Sequence, residues 1–157
     1  RLGPVLPVIG ADTRFQPDYV DDVAAAAIKG VLGEVPGGIY ELGGPDVATF
    51  RELMQTMLAV VRRRRMILNM PFWAARIMAG GFNILRVVSL GLVTPPVTRD
   101  QVANLAVDNV VSDGAKGFAD LGITPTAMMA VLPDYLWRFR PSGQYDAIKV
   151  SAKNLRP

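Results

Sequence analysis

Residues 15–24 read Phe15-Gln16-Pro17-Asp18-Tyr19-Val20-Asp21-Asp22-Val23-Ala24. Phe15 to Val20 reads as a short strand or extended approach, and Asp21 and Asp22 then open a helix that runs to about Leu32. Aspartate at a helix start accepts backbone N–H bonds and complements the helix dipole. The run Val23 to Ala27, with Ile28, Val31 and Leu32, predicts a buried helix, and Gly33 suits its C-terminal end. Upstream, residues 4–9 (PVLPVI) form an extended apolar segment, followed by a Gly10-Ala11-Asp12 turn. Downstream, Ile39 to Leu42 reads as a short strand closed by Gly43-Gly44-Pro45. Strand and helix alternate here, which favours an α/β fold.

The later half is mostly helical. Thr49-x-x-Glu52 is a capping box, worth about 1 kcal/mol at a helix start. The helix behind it carries Leu53, Met54, Met57, Leu58 and Val61 on one face. Met66 to Leu68 reads as a strand, and Pro71 fits the first turn of a helix through Gly80. Pro95-Pro96 makes a rigid joint. Thr98-x-x-Gln101 is a second capping box, opening a helix to about Asp108. Lys116 to Leu121 reads as a short helical turn. Thr126 caps a last helix, in which Pro133 implies a kink or restart. The order fits a mostly helical cap on the end of a doubly wound sheet. Residues 1–48 would end the sheet and its helices, 49–141 form the helical subdomain, and 142–157 a polar tail.

Composition narrows the chemistry. The chain has 157 residues, 50% of them hydrophobic, with no cysteine and no histidine. A disordered chain and a disulfide scaffold are excluded, as is a Ser-His-Asp triad. Zinc, haem and iron–sulfur sites lose their usual ligands, so no metal is expected. The net charge of +3 is unevenly spread. Residues 62–99 hold seven arginines and no acid, between two regions that are each net −4. This basic block is also the most apolar part of the chain. No uncharged stretch in it approaches the ~20 residues of a spanning helix, but an interfacial or partner-docking segment fits. The docking candidates are Arg62, Arg63, Arg64, Arg65, Phe72, Trp73, Arg76 and Arg86, with Ile77, Phe82, Ile84 and Leu85 beside them. The bland alternative is a core-packed helical pair with a solvated arginine turn. The arginines are not interleaved with a stacking platform, so no nucleic-acid partner is expected.

Three motifs suggest chemistry and then fail on context. Tyr145 and Lys149 have Y-x-x-x-K spacing but sit behind Pro141-Ser142-Gly143, with no core helix around them. Gly43-Gly44-Pro45 follows a strand but lacks the G-x-G-x-x-G run into a helix that a dinucleotide needs. Asp21-Asp22 could pair as carboxylates, yet helix capping explains both.

Several strings together carry a resemblance. They are residues 15–24, then Tyr40 to Pro45 with Thr49-Phe50-x-Glu52-Leu53, Thr98-Arg99-Asp100-Gln101-Val102, Asp108-Asn109-Val110-Val111, Ala119 to Ile123 with Pro125-Thr126, and Tyr135 to Gly143. The first two resemble the C-terminal half of extended, or atypical, short-chain dehydrogenase/reductases, the NAD-dependent epimerase/dehydratase superfamily. The whole order, from about Pro7 to Gly143, resembles one branch: the nucleotide-binding accessory subunits of respiratory complex I, the proton-pumping NADH:ubiquinone oxidoreductase. The resemblance implies the C-terminal part of a Rossmann-like doubly wound fold with a small, mostly helical C-terminal subdomain. It implies an N-terminal half carrying the glycine-rich loop and NADP(H), upstream of Arg1, with the superfamily's Tyr and Lys also upstream. It implies a structural or assembly role without established turnover. Its partners would be other complex I subunits near the junction of the peripheral and membrane arms, and an anionic membrane surface. The location would be the cytoplasmic face of a bacterial inner membrane, or the matrix side of the mitochondrial one. The alternative is an active NAD(P)-dependent epimerase or reductase. By position in active relatives, Arg14, Phe15, Gln16 and Tyr19 would face a substrate cleft, with Arg14 able to hold a phosphate. Asp18 departs from the apolar residue usual at its position, and its charge would be costly if buried.

Overall fold

The computed structural model describes residues 3–89, 92 and 98–141. The Pro95-Pro96 joint, the Tyr145–Lys149 pair and the 142–157 tail lie outside those residues, as do the side chains of Leu85 and Arg86. The protein is mixed α/β. Strand β1 (Val5–Ile9) pairs in parallel with β4 (Met66–Met70), Val5 opposite Met66 and Ile9 opposite Met70. A two-residue strand β2 (Arg14–Phe15) pairs antiparallel with β3 (Ala48–Thr49). Helices α1 (Val20–Val31), α2 (Phe50–Val60), α3 (Phe72–Val88), α4 (Arg99–Asn104) and α5 (Met128–Leu136) surround them, with single 3-10 turns at Ala119–Leu121 and Trp137–Phe139. This small parallel sheet with its helices is compatible with part of a Rossmann-like fold.

Among the described residues two small cores form. Ile9, Ala75, Ala79 and Val102 form one, with Met70, Phe72 and Leu105 against it. Ala75 and Ala79 are small enough to let α3 approach α4 until Val102 is fully covered. Ala26, Phe118 and Leu121 form the other, beneath Val23, Tyr40, Leu42 and Ile123. Both capping boxes are present. The Thr49 hydroxyl accepts from the Glu52 N–H while the Glu52 side chain accepts from the Thr49 N–H, and Thr98 and Gln101 repeat the pattern. Gly33 takes the left-handed φ of 71° just beyond α1.

Several expectations need correction. Helix α1 starts at Val20, with Tyr19 as its N-cap and no side-chain cap, so Asp21 and Asp22 are first-turn residues. It is not a buried helix. Only Ala26 is buried, while Val20, Ala24, Ala27, Ile28 and Val31 form an exposed stripe. Its apolar residues wrap right round the helix, and the second core covers one side alone. Ile39 to Leu42 is not a strand, because the passing chain offers it one backbone bond, Glu41 N–H to the Lys116 carbonyl at 2.8 Å, and no ladder. Helix α3 continues through Gly80 to Val88, and α4 stops at Asn104 rather than near Asp108. Ala127, not Thr126, occupies the N-cap position of α5, and no side chain caps the helix. Pro133 lies inside this short helix, which tightens into a 3-10 turn four residues later. Asp18 is exposed, so its charge carries no burial cost.

Candidate functional site

The four cleft candidates fall into two places. Arg14 pairs with Asp108, Nε to Oδ2 at 2.9 Å, while the Arg14 backbone N–H donates to Oδ1 at 2.8 Å. The same carboxylate holds a side chain and the main chain, as an aspartate does when it pins a loop to a strand. The two donors set its pKa below the ordinary carboxylate range, the backbone N–H foremost and the guanidinium next. The Phe15 ring meets that of Phe50 at 5.6 Å between centroids. Gln16 spends both ends of its amide on backbone: Nε2 donates to the Gly44 carbonyl at 2.8 Å, and Oε1 accepts from the Val111 N–H at 3.0 Å. Tyr19 lies apart from these three, donating its phenol to Asp21 at 2.6 Å. That bond, more than any other cause, pushes its pKa up to about 12. A phenol so held stays protonated at neutral pH and is a poor proton acceptor. Tyr19 also walls a small cleft of about 220 Å³ with Pro17, Met128, Leu132 and Tyr135.

The glycine-rich turn is occupied by the protein itself. A Cβ on Gly44 would stand 2.0 Å from the Pro17 carbonyl oxygen, and one on Gly43 would stand 2.7 Å from the Gln16 amide carbon. These glycines let two chain segments touch. The neighbouring hollow is lined by Asp18 and Glu41, whose charge opposes a pyrophosphate. This turn therefore does not fit a nucleotide. Among them, no group of acidic side chains is placed to hold a metal ion.

The arginine block makes a surface. At the end of α2 the N–H of Arg62 donates to Ala59 and that of Arg63 to Leu58. This is a Schellman closure with Arg62 at φ 53°, a left-handed position that ordinarily takes glycine. The sharp turn throws Arg63, Arg64 and Arg65 out in succession. Two are anchored: Arg63 Nε donates to the Phe139 carbonyl at 3.2 Å and Arg65 Nη1 to Gly3 at 2.8 Å. Arg140 returns the tie, donating to Val60 at 2.9 Å. On α3, Trp73, Ile77, Ile84 and Val88 are each about two-thirds exposed or more and follow at spacings of four, seven and four, one helical face. Arg76 is exposed beside them, whereas Phe72 is half-buried against the first core.

Some site contacts had no local signal. Asp108 and Asp22 each bond a residue more than ninety positions away. For Asp108, the Asp108-Asn109-Val110-Val111 string was the available clue. Arg51, which joins the arginine turn in space, is separated from it by a whole helix.

No protein-family model matches the chain. Two known proteins are similar to it along nearly its whole length. One is the mitochondrial NADH dehydrogenase (ubiquinone) 1 alpha subcomplex subunit 9 of Arabidopsis thaliana, 37% identical over 153 residues, covering 94% of this chain and 38% of the relative. The other is the mitochondrial NADH-ubiquinone oxidoreductase 40 kDa subunit of Neurospora crassa, 26% identical over 153 residues, covering 97% of this chain and 39% of the relative. The chain thus spans less than two-fifths of the length of either relative. Its homologues are subunits of the NADH:ubiquinone oxidoreductase, respiratory complex I. Among the described residues, no helix is long and apolar enough to cross a membrane.

Proposed function

We propose that this chain is the C-terminal part of an accessory subunit of the proton-pumping NADH:ubiquinone oxidoreductase, structural or assembly-related and without turnover of its own. The observation that carries the reading is the 37% identity to the alpha subcomplex subunit, which runs over 94% of the chain. The surface agrees with it. An apolar stripe on α3 and an arginine turn suit a protein that sits against partners. The docking residues on this reading are Trp73, Arg76 and Ile77 on α3 and Arg62 to Arg65 in the turn after α2, toward other subunits near the arm junction and the anionic membrane surface. Phe72 anchors the start of α3 to the first core, and the sequence position of Arg86 adds it to the same set. The location is the cytoplasmic face of a bacterial inner membrane, or the matrix side of a mitochondrial one.

NADP(H) binds, on this reading, through a glycine-rich site outside these 157 residues. Residues 1–48 complete that larger fold, whose remainder covers the exposed stripe of α1. Residues 49–141 form the docking subdomain. Arg14, Phe15 and Gln16 brace its inner edge, with Tyr19 beside the cleft.

Deleting the protein and measuring assembled complex on native gels tests the role. Loss of assembled complex, restored by the wild-type chain, supports it. Normal amounts of complex with normal NADH:ubiquinone activity would contradict it.

A further inference from the structure

Two troughs run along α2 and share a wall. The first, about 520 Å³, is bounded by Arg51 and Gln55 on α2 and by Arg63, Arg64 and Arg65 beyond it. The second, about 420 Å³, is apolar, formed by Leu6, Met57, Val61, Leu136 and Phe139. Leu58, Arg63 and Arg65 line both. No carboxylate lines either trough among the described residues. Arg63 and Arg65 are held in place by backbone carbonyls, so less side-chain freedom remains to be lost on binding. The guanidinium groups of Arg51 and Arg64 bond to no other described residue.

An unpaired cation cluster on one side of a wall and an unfilled apolar trough on the other ask for one molecule with both chemistries. We propose that this crease holds a single anionic phospholipid, its phosphate on Arg51, Arg64 and the free N–H groups of Arg63 and Arg65, its acyl chain against Met57, Val61 and Phe139. Arginine suits the phosphate because its planar fork can donate two bonds at once. The trough volumes fall within the ~300–1,000 Å³ usual for small-molecule sites. The proposal deepens the docking reading of the arginine turn and rests on it. It turns a general attraction to a charged surface into a defined lipid site.

Calorimetric titration of the full chain tests it, with three probes: dioctanoyl phosphatidylglycerol below its micelle concentration, dioctanoyl phosphatidylcholine, and glycerol 3-phosphate. The phosphatidylglycerol is expected to bind saturably at one site, about tenfold or more tighter than either of the others. Arg51→Gln with Arg64→Gln should weaken it by about tenfold or more and leave phosphatidylcholine unchanged. Phe139→Ser keeps the backbone carbonyl that anchors Arg63, so it should weaken the lipid and not glycerol 3-phosphate. Equal affinity for the two lipids would overturn the proposal. So would glycerol 3-phosphate binding as tightly as the lipid, which would mark an anion site only, and so would indifference to both sets of substitutions. If a variant fails to fold, the three probes on the wild-type chain still decide. Failure of complex membership would appear in co-purification and leave this titration untouched.

Discussion

The Asp22 carboxylate accepts two hydrogen bonds from Thr126, one from its backbone N–H at 2.6 Å and one from its hydroxyl at 3.2 Å. It ties the first turn of α1 to the segment that leads into α5, 104 residues along the chain. Val23 and Ala26, just after Asp22, and Leu121 and Ile123, just before Thr126, all belong to the second core.

Asp22→Ala should therefore destabilise the protein by about 1–3 kcal/mol, because a part-buried N–H loses a charged acceptor. Thr126→Ser, which keeps both donors, should cost less than half as much. Urea unfolding of the two variants makes the comparison. Equal losses would mean that the hydrogen bonds do not hold the ends together.

Gly44→Ala brings a methyl group against the Pro17 carbonyl, a backbone atom that cannot swing aside. Destabilisation of roughly 2 kcal/mol or more is expected. Gly114 has open space around it, and Gly114→Ala meets only its positive φ of 77°, which costs about 1 kcal/mol. A thermal shift no larger for Gly44→Ala than for Gly114→Ala would show that the Pro17 contact is loose.

At Arg62 two truncations separate backbone from side chain. Arg62→Gly and Arg62→Ala both lose the guanidinium, but only glycine suits φ 53° without a Cβ penalty. The glycine variant should be the more stable of the two by about 1 kcal/mol. Equal midpoints in denaturant would place the left-handed turn elsewhere.

Acid should loosen the protein through three carboxylates. Asp108, Glu41 and Glu52 all titrate below their ordinary values, each chiefly because a backbone N–H donates to the charged form, from Arg14, Ser112 and Thr49 respectively. A depressed folded pKa gives stability that is fully present above the unfolded value, near 4 for such groups. That stability is lost as pH falls through the folded value. Asp108→Asn should thus flatten the acid limb of a stability-against-pH curve and lower the plateau at neutral pH. An acid limb identical to wild type would remove Asp108 from this account.

What the sequence disclosed was local. Both capping boxes are legible because Thr, Glu and Gln find their partners within three residues. Strand β4 was legible as a short apolar run before Pro71, and Gly33 as a helix end. What stayed hidden was set by distant chain. Ile39 to Leu42 has the composition of a strand, but a strand requires a neighbour, and residues 111–117 supply only isolated bonds. Asp22 looked like a cap because its true acceptor role depends on a threonine in another element. The composition of α1 announced apolar residues without saying which side would be covered. At the candidate site, four consecutive arginines were visible at once. Their shared trough with Arg51, and the apolar trough behind it, required the fold of α2 against β1 and the C-terminal turn.

The central claim is membership of complex I. Affinity capture of the tagged full protein from mildly solubilised membranes, followed by protein identification and an NADH:ubiquinone assay, tests it most directly. Co-purification of the complex in constant stoichiometry, carrying its activity, is the predicted result. A protein that purifies alone and turns over NAD(P)H with a small-molecule substrate would contradict it.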